Sequence, residues 1–477
     1  MPHSNNMFLV GSLPSVFMKT AAPIILMMLV NGSFSLVDAY FLGEYVGAHA
    51  LAAVTSVFPA FMLLVALSSW VSAGFSSVMA RLLGANKKDQ AISAYAQAMT
   101  LSMFVCIVLI LLFLVGGEQL VLFVNNGSES LSSMSYDYLS LMIFFSPLLF
   151  ILTINSDSLR CEGQMAFMAV VPLLSVFFNI VFNYIFIAMF GWGVVGSVYG
   201  TLLAQTLSLF AVYLFRRYSK TALKVSIVRF TANRKLWSDF LALGAPTSLS
   251  YVGVALSSAF ILYNLQIWSN ENYSMIVAAY GIITRIMTFI FLPLLGLSMA
   301  FQTILGNNIG AKEWLRSNSA IKIAIIIAFI YCVFCQLFVL LLKNQLGGVF
   351  VNDIDVTAEV ARILPIMSSA LFLLGPLMMI GVVFQAMGDA KRAAILRLAK
   401  VYIFTLPLIF ILPILFAETG IWLAGPSSEL LALFLTIGVL YQRRQKLGNP
   451  FGLFFKTEAA NAVNADRSIT SYSNTNT

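Results

Sequence analysis

Twelve apolar runs dominate this chain of 477 residues, each longer than the roughly 20 residues a helix needs to cross the hydrocarbon core of a bilayer. They fall near 13–42, 51–80, 92–116, 132–159, 165–189, 194–216, 239–266, 274–306, 318–343, 357–387, 393–416 and 420–442. In lipid every backbone N–H and C=O needs a protein partner, and a single spanning segment supplies its own only as a helix. The period-2 alternation of a transmembrane barrel is absent from the sequence. Charged residues make up 10% of the chain and hydrophobic ones 60%, with a mean hydropathy of +0.92, too few charges to cover a soluble surface. The expected fold class is an all-α polytopic membrane protein with twelve transmembrane helices.

The runs fall into two related halves. Ala52-Ala53 through Arg81-Leu-Leu-Gly84-Ala85 is echoed by Ala278-Ala279 through Asn307-Asn-Ile-Gly310-Ala311 at an offset of 226. Arg160-Cys-Glu-Gly163 answers Gln385-Ala-Met-Gly388 at 225, and Gly196 through Phe210 answers Gly420 through Phe434 at 224. A near-constant offset implies an internal duplication, which in so apolar a chain is a signature of secondary transporters whose ligand site lies between the repeats. The expected organisation is two pseudo-symmetric six-helix lobes, 13–216 and 239–442, joined by a basic cytoplasmic linker at 217–238. The segment from Arg443 to Lys456 shows no packed pattern, and 457–477, rich in Asn, Ser, Thr and Ala, reads as a disordered tail.

Orientation follows from Lys and Arg. With the N-terminus inside, the inner segments carry Lys19, Arg81, Lys87, Lys88, Arg160, the cations of the linker, Lys312, Arg316, Lys322, Lys391, Arg392, Arg397, Lys400 and those of the C-terminal segment. The outer side holds Lys343 and Arg362 against eight acids, among them Glu118, Glu129, Asp353 and Glu418. Both termini are therefore expected in the cytoplasm, with the chain in the plasma membrane (a bacterial inner membrane). The net charge of +8 then reflects topology and contact with anionic headgroups, not nucleic acid, which would call for a basic patch on a soluble face. The first apolar run continues too directly into a second to read as a cleaved signal peptide. No GxxxxGK[ST] loop is present, so ATP-driven pumping by this chain is not expected. An enzyme is not expected either, because no intramembrane pair of Asp, Ser with His, or His-Glu-x-x-His occurs. Cys106, Cys332 and Cys335 lie in apolar spans and read as small hydrophobes, and His3 and His49 fall outside the spans, leaving no transition-metal set.

Three acids fall within spans: Asp38, Asp157 and Glu429. An intramembrane carboxylate costs about 2.5–3.5 kcal/mol on insertion scales and is functional by default. Asp157 stands three residues before Arg160, which suits an inert paired carboxylate as well as a functional one, and Glu429 lies near Gly425-Pro426, whose freed backbone could partner it. Asp38 is different, because Asn31 lies two helical turns earlier on its face. Asn179 and Asn183 stand at i and i+4 on the fifth span, and Thr201 and Gln205 repeat that spacing on the sixth. Three polar stripes from one half, aimed at one interior cavity, make a candidate ion site. Amide and hydroxyl oxygens around a carboxylate suit Na+, with Asp38, Asn179 and Asn183 as metal ligands in that case. Apolar walls would instead make Asp38 a proton acceptor, and the bland alternative is polar glue between helices. The neutral remaining ligands and the Phe, Ile and Val walls favour H+. Pro23 and Pro293 are candidate helix bends. Arg285 is expected to be the one cation deep in a span, pairing with a carbonyl or substrate acid or snorkelling.

The ordered set Val37-Asp38-Ala-Tyr-Phe-Leu-Gly43, Ser77 through Ala85, Arg160-Cys-Glu-Gly163, Asn179-Ile-Val-Phe-Asn183, Gly193-Val-Val-Gly196, Ala279-Tyr-Gly281, Gln385-Ala-Met-Gly388-Asp389 and Gly420-Ile-Trp-Leu-Ala resembles the multidrug and toxic compound extrusion family, nearest its bacterial DinF-like and related branches. The resemblance runs from about residue 14 to 443. It implies two six-helix lobes around a central cavity, no bound cofactor, and export of cationic or amphipathic small molecules coupled to inward H+ or Na+. It further implies an ion site at Asp38, Asn179, Asn183 and Thr201, while Asn31, Asp157, Gln205 and Arg285 are secondary candidates on the residue pattern alone. The position of Asn183 is commonly Asp in the similar proteins, which puts ion stoichiometry in doubt, and the second-lobe acids of some branches have no counterpart here. A flippase for lipid-linked saccharides shares the architecture and is the alternative, though it would want more cations facing the cavity. The expected partners are the bilayer and small-molecule substrates, no nucleic acid, and the expected state is a monomer. Single cysteines placed in 43–50 and 343–356 should react with an impermeant reagent from outside, and those in 216–238 from inside; outside access to the linker would overturn this topology.

Overall fold

The computed structural model describes residues 6–125, 129–219, 221, 223–268, 273–350 and 353–456. The tail at 457–477 lies outside the described residues. Long helices run from end to end: α1 (Leu13–Tyr45), α2 (Ala48–Gly84), α3 (Lys88–Val124), α4 (Glu129–Phe144), α5 (Ser146–Cys161), α6 (Met165–Asn183) and α7 (Gly193–Tyr218) in the first half. The second half holds α8 (Trp237–Trp268), α9 (Tyr273–Gly310), α10 (Trp314–Leu346), α11 (Ile354–Met367), α12 (Leu371–Met387), α13 (Ala390–Leu398), α14 (Leu406–Phe416) and α15 (Glu418–Leu447). Short π-helical stretches, Tyr184–Met189 and Ala399–Thr405, extend α6 and join α13 to α14. Among the described residues, ten continuous helical stretches are long and apolar enough to span a bilayer, and two bent pairs, α4–α5 at 46° and α11–α12 at 48°, bring the number to 12 if each is one span.

The bends occupy corresponding points of the repeat, at Phe145 and at Ser368–Ala370. Pro147 sits in the first turn of α5 and has no N–H to carry the α4 ladder across the junction. Pro365 stands just ahead of the second break, inside α11. Pro23 and Pro293, candidates for bends on sequence grounds, lie inside the continuous helices α1 and α9.

How the cores divide shows where the lobes meet. One apolar core draws its buried residues only from between Phe41 and Leu202, and another only from between Ile261 and Ala424. Two further cores mix the halves. One joins Phe17, Ile24 and Met168 to Phe301, Ile321 and Val383, and the other joins Phe75 and Tyr95 to Phe240 and Leu243. The lobes are thus separate at the end where α1 gives way to α2, and fused at the end where α2 and α9 finish. There α2 packs against α8 and α1 against α9 more extensively than any other interlobe pair.

Backbone meets backbone at this seam. A Cβ on Gly84 would lie 2.0 Å from the Asn307 carbonyl oxygen, and one on Gly310 would lie 2.1 Å from that of Arg81. Positions 81 and 307, like 84 and 310, are equivalent in the repeat, so the contact is a two-fold pair. Gly74 against Phe240 and Gly244 against Trp70 are as close, at 1.9 and 1.7 Å for the same hypothetical atom. Small residues let membrane helices approach to this distance. Ser77 Oγ donates to the Gln385 carbonyl at 2.7 Å across the seam, and the Trp70 indole to that of Leu241 at 2.7 Å.

The residues just past the last helix are packed, contrary to the sequence expectation for Arg443 to Lys456. Asn318 exchanges two hydrogen bonds with the Phe455 backbone, Arg443 donates to the Gly452 carbonyl, and Leu453 is buried. A short irregular segment has no hydrophobic period, so its docking left no pattern to read. Gly84→Val should loosen the interlobe seam. In a background freed of its natural cysteines, Ser77→Cys should react with an impermeant thiol reagent about tenfold faster in the presence of Gly84→Val, the factor for ~1.4 kcal/mol. Equal rates would show that the glycine contact does not hold the lobes together.

Candidate functional site

Three helices of the first lobe place a polar cluster between otherwise apolar walls. Asn179 and Asn183 lie one turn apart on α6 and are fully buried, as is Thr201 on α7. The Asn179 amide donates to Thr201 Oγ1 at 3.1 Å, and the Asn183 amide donates to Asn179 Oδ1 at 3.2 Å and to Asp38 Oδ1 of α1 at 2.6 Å. The chain of bonds runs from a buried hydroxyl to a half-buried carboxylate, so Asp38 is its least buried end. No Lys or Arg lies within salt-bridge distance of Asp38 among the described residues. Its charge is held by neutral donors.

Gly200 shapes this arrangement. A Cβ there would lie 2.4 Å from Asn183 Oδ1, so a side chain at 200 would displace the amide that reaches Asp38. Asn183 Oδ1 itself is buried with no hydrogen-bond partner among the described residues. An orphaned buried acceptor costs about 1–3 kcal/mol, and a cation or a proton donor would relieve it. Ser197, on α7, and Tyr138, on α4, are also buried beside the carboxylate. Sequence reasoning missed Gly200, Ser197 and Tyr138. For Gly200 a signal existed, since it stands one residue before Thr201 on the face turned to α6; Ser and Tyr in a span carry no such mark. The π-helical stretch begins directly after Asn183, a device frequent at functional sites.

Other candidates are placed elsewhere. The Asn31 side chain lies outside the described residues. Gln205 follows one turn after Thr201, half-buried, outside this chain of bonds. Asp157 forms a buried ion pair with Arg160 at 2.9 Å, and Arg160 also donates across the seam to the Met299 carbonyl at 3.0 Å and to Thr303 Oγ1 at 2.5 Å. That pair belongs to the lobe contact. Arg285 is exposed on α9, and it is not the one cation within a span. Arg397 and Lys400 lie within the span built from α13 and α14, where Arg397 donates to Thr247 Oγ1 at 2.8 Å and Lys400 pairs with Glu429. The partner of Glu429 is therefore Lys400 and not the backbone near Pro426.

The two lobes differ at the cluster. Through the repeat offsets, Asp38 corresponds to Asn264, Asn179 to Phe404, Asn183 to Leu408 and Thr201 to Gly425. The second lobe thus has neither the carboxylate nor the amides that hold it. No group of three or more His, Cys, Asp or Glu able to hold a metal is present among the described residues. What the first lobe offers is one carboxylate, two amides and a hydroxyl, a set able to take up a monovalent cation or a proton.

Comparison with known proteins agrees with this architecture. The family model for MatE matches residues 23–185 and 246–411. Multidrug export protein MepA of Staphylococcus aureus (strain MSSA476) is 24% identical over 434 residues, covering 90% of this chain and 94% of that protein. The protein of the same name from Staphylococcus haemolyticus (strain JCSC1435) is 25% identical over 441 residues, covering 92% and 95%. Among solved structures, MATE in the bent conformation aligns with a TM-score of 0.82 at 23% identity, covering 93% of this chain and 98% of that one. The outward-facing conformation of a multidrug resistance MATE family transporter of the MOP superfamily gives the same score, identity and coverage. A MOP superfamily transporter from Pyrococcus furiosus, described as having a binding pocket of reverse polarity, aligns at 0.82 and 22%, covering 94% and 100%. Gly200→Ala should leave the protein in the membrane but push the Asn183 amide off Asp38 and lower transport about tenfold, the rate equivalent of ~1.4 kcal/mol. Transport at wild-type rate, normalised to membrane level, would show that this contact is not needed.

Proposed function

We propose, from the premise that this chain belongs to the MatE family of membrane transporters, that it exports cationic or amphipathic small molecules across the plasma membrane by antiport, with H+ entering on Asp38. The observation that carries this reading is the hydrogen-bonded chain Thr201–Asn179–Asn183–Asp38, which ends in a half-buried carboxylate with no cationic partner among the described residues. A multidrug export protein among the relatives supports drug-like substrates.

The residues suit a two-state cycle. Ionised, Asp38 accepts from the Asn183 amide and pulls α1 toward α6. Protonated, it gives up most of that charge-assisted attraction, since hydrogen bonds to ionised groups are roughly twice as strong as neutral ones. It can then itself donate to an acceptor such as the orphaned Asn183 Oδ1. Moving one charge through the membrane potential supplies ~2.3 kcal/mol per 100 mV, and a tenfold concentration ratio requires about 1.4 kcal/mol. One ion therefore suffices for modest accumulation. The loss of carboxylate and amides at Asn264, Phe404, Leu408 and Gly425 argues that coupling resides in the first lobe. The Lys and Arg asymmetry supports cytoplasmic termini, and twelve spans in one chain are enough for a monomer to carry a complete cavity.

Na+ is the second reading. It is favoured by the same orphaned Oδ1, which could join Asp38 and Asn179 around an ion, and disfavoured by the single carboxylate, which leaves one negative charge to offset desolvation. Proteoliposomes loaded with a fluorescent cationic dye separate the two. A pH gradient without Na+ should drive concentrative dye export, Asp38→Asn should abolish it with normal insertion, and Asn183→Asp should act more mildly by restoring a second carboxylate. Export driven by a Na+ gradient alone would replace H+ with Na+, and full export by Asp38→Asn would remove Asp38 from the mechanism.

A further inference from the structure

The linker between the lobes is docked, not loose. Leu223 N donates to Glu162 Oε2, the Ile227 carbonyl accepts from Tyr95 and Asn155, and Thr231 and Thr100 exchange two hydrogen bonds. Held in this way, the linker and the end of α7 enclose an open cleft of about 690 Å³. Arg216, Arg217 and Lys224 line it together with Tyr213, Ser219 and Thr221, and no carboxylate does among the described residues.

Arg216 is the fixed element. Its side chain is 3% exposed and pairs with Glu162 at 3.2 Å. Its Nε donates to Asn155 at 3.1 Å, and its guanidinium stands over the Tyr95 ring. Yet Nη2 is buried with no partner among the described residues. A guanidinium offers five N–H donors in a rigid fork that suits phosphate, and a buried one left unused points to an absent acceptor. Glu162 already offsets one positive charge, so exposed Arg217 and Lys224 leave the mouth of the cleft with a surplus of two.

The position names the source of the acceptor. The cleft lies where α7 leaves the apolar zone, and Phe210, Tyr213 and Leu214 on the preceding turns expose 55%, 47% and 37% of their surface. An acyl chain could lie against these residues while its headgroup reaches the cations. We propose that this cleft binds the phosphate of an anionic phospholipid of the cytoplasmic leaflet, with Arg216 Nη2 as the buried donor and Arg217 and Lys224 as the outer cations. The leaflet rests on the cytoplasmic orientation proposed above; the site does not rest on the transported substrate or the coupling ion.

The test uses the full chain purified in detergent, with melting temperature and bound lipid measured after addition of phosphatidylglycerol or phosphatidylcholine. Phosphatidylglycerol should bind preferentially and raise the melting temperature. Arg217→Gln with Lys224→Gln, both at exposed positions, should weaken phosphatidylglycerol binding by roughly tenfold or more, on the scale of two interfacial cations. Lys87→Gln with Lys88→Gln, which removes two exposed cations elsewhere at the same end of the molecule, should leave it unchanged. Equal loss in the two double variants would reduce the effect to general surface charge and overturn the proposal, as would equal binding of the two lipids. Inorganic phosphate reproducing the full shift would overturn the lipid source.

Discussion

The close approach of α2 to α9 and α8 is the constraint on which the rest of the arrangement depends. At Gly84 and Gly310 the backbone of each lobe occupies space that a side chain would need, so the lobes pack without any layer between them. Because Gly84 faces Asn307 and Gly310 faces Arg81, the seam has the symmetry of the duplication, and one geometry is used twice. The lobes share cores at this end and bear separate cores at the other. In a membrane, apolar burial gives helices little reason to associate, since lipid is as apolar as leucine, and close packing with interhelical hydrogen bonds must do so. The Ser77, Trp70 and Arg160 bonds across the seam supply the second of these.

Much of this was legible in the sequence because bilayers impose simple rules. The length of each apolar run gave the helices, and the offset of about 226 between Arg81 to Gly84 and Asn307 to Gly310 marked the duplication, though not that its two copies meet there. The i, i+4 spacing of Asn179 and Asn183, and of Thr201 and Gln205, put polar groups on faces, and three of those four residues meet in one cluster. The remainder turned on contacts between elements distant along the chain, which periodicity does not encode. Lys400 and Glu429, or Arg160 and Thr303, announce nothing to each other in sequence, and the pairing of Glu429 with Lys400 could be found only in three dimensions.

Duplication followed by divergence explains the uneven chemistry. Two copies of one architecture are needed for the seam, so Gly84 and Gly310 are both kept. Two copies of a buried carboxylate are not needed for packing, and each costs free energy in the bilayer. The second lobe carries Asn264 where the first carries Asp38, and Asn264 returns its amide to the Phe260 carbonyl of its own helix. An amide satisfied locally can be inert; a carboxylate that relies on Asn183 from another helix cannot be moved without affecting that helix.

The geometry of α1 then ties the carboxylate to the seam. Its C-terminal half contributes Phe41 and Leu42 to the first-lobe core, whereas Phe17, Ala21, Ile24 and Met27 of its N-terminal half belong to the core shared with α9, α10 and α12. A Cβ on Gly296 of α9 would lie 3.0 Å from the Ile25 Cα, so α1 and α9 also meet backbone to backbone. Asp38 lies beyond this contact on the same unbroken helix. A change in the force between Asp38 and Asn183 is therefore applied to a helix whose other end is wedged against the opposite lobe. Close-packed contacts of this kind switch between arrangements and do not deform smoothly, so the coupling role proposed for Asp38 would act on the interlobe contact through this one helix.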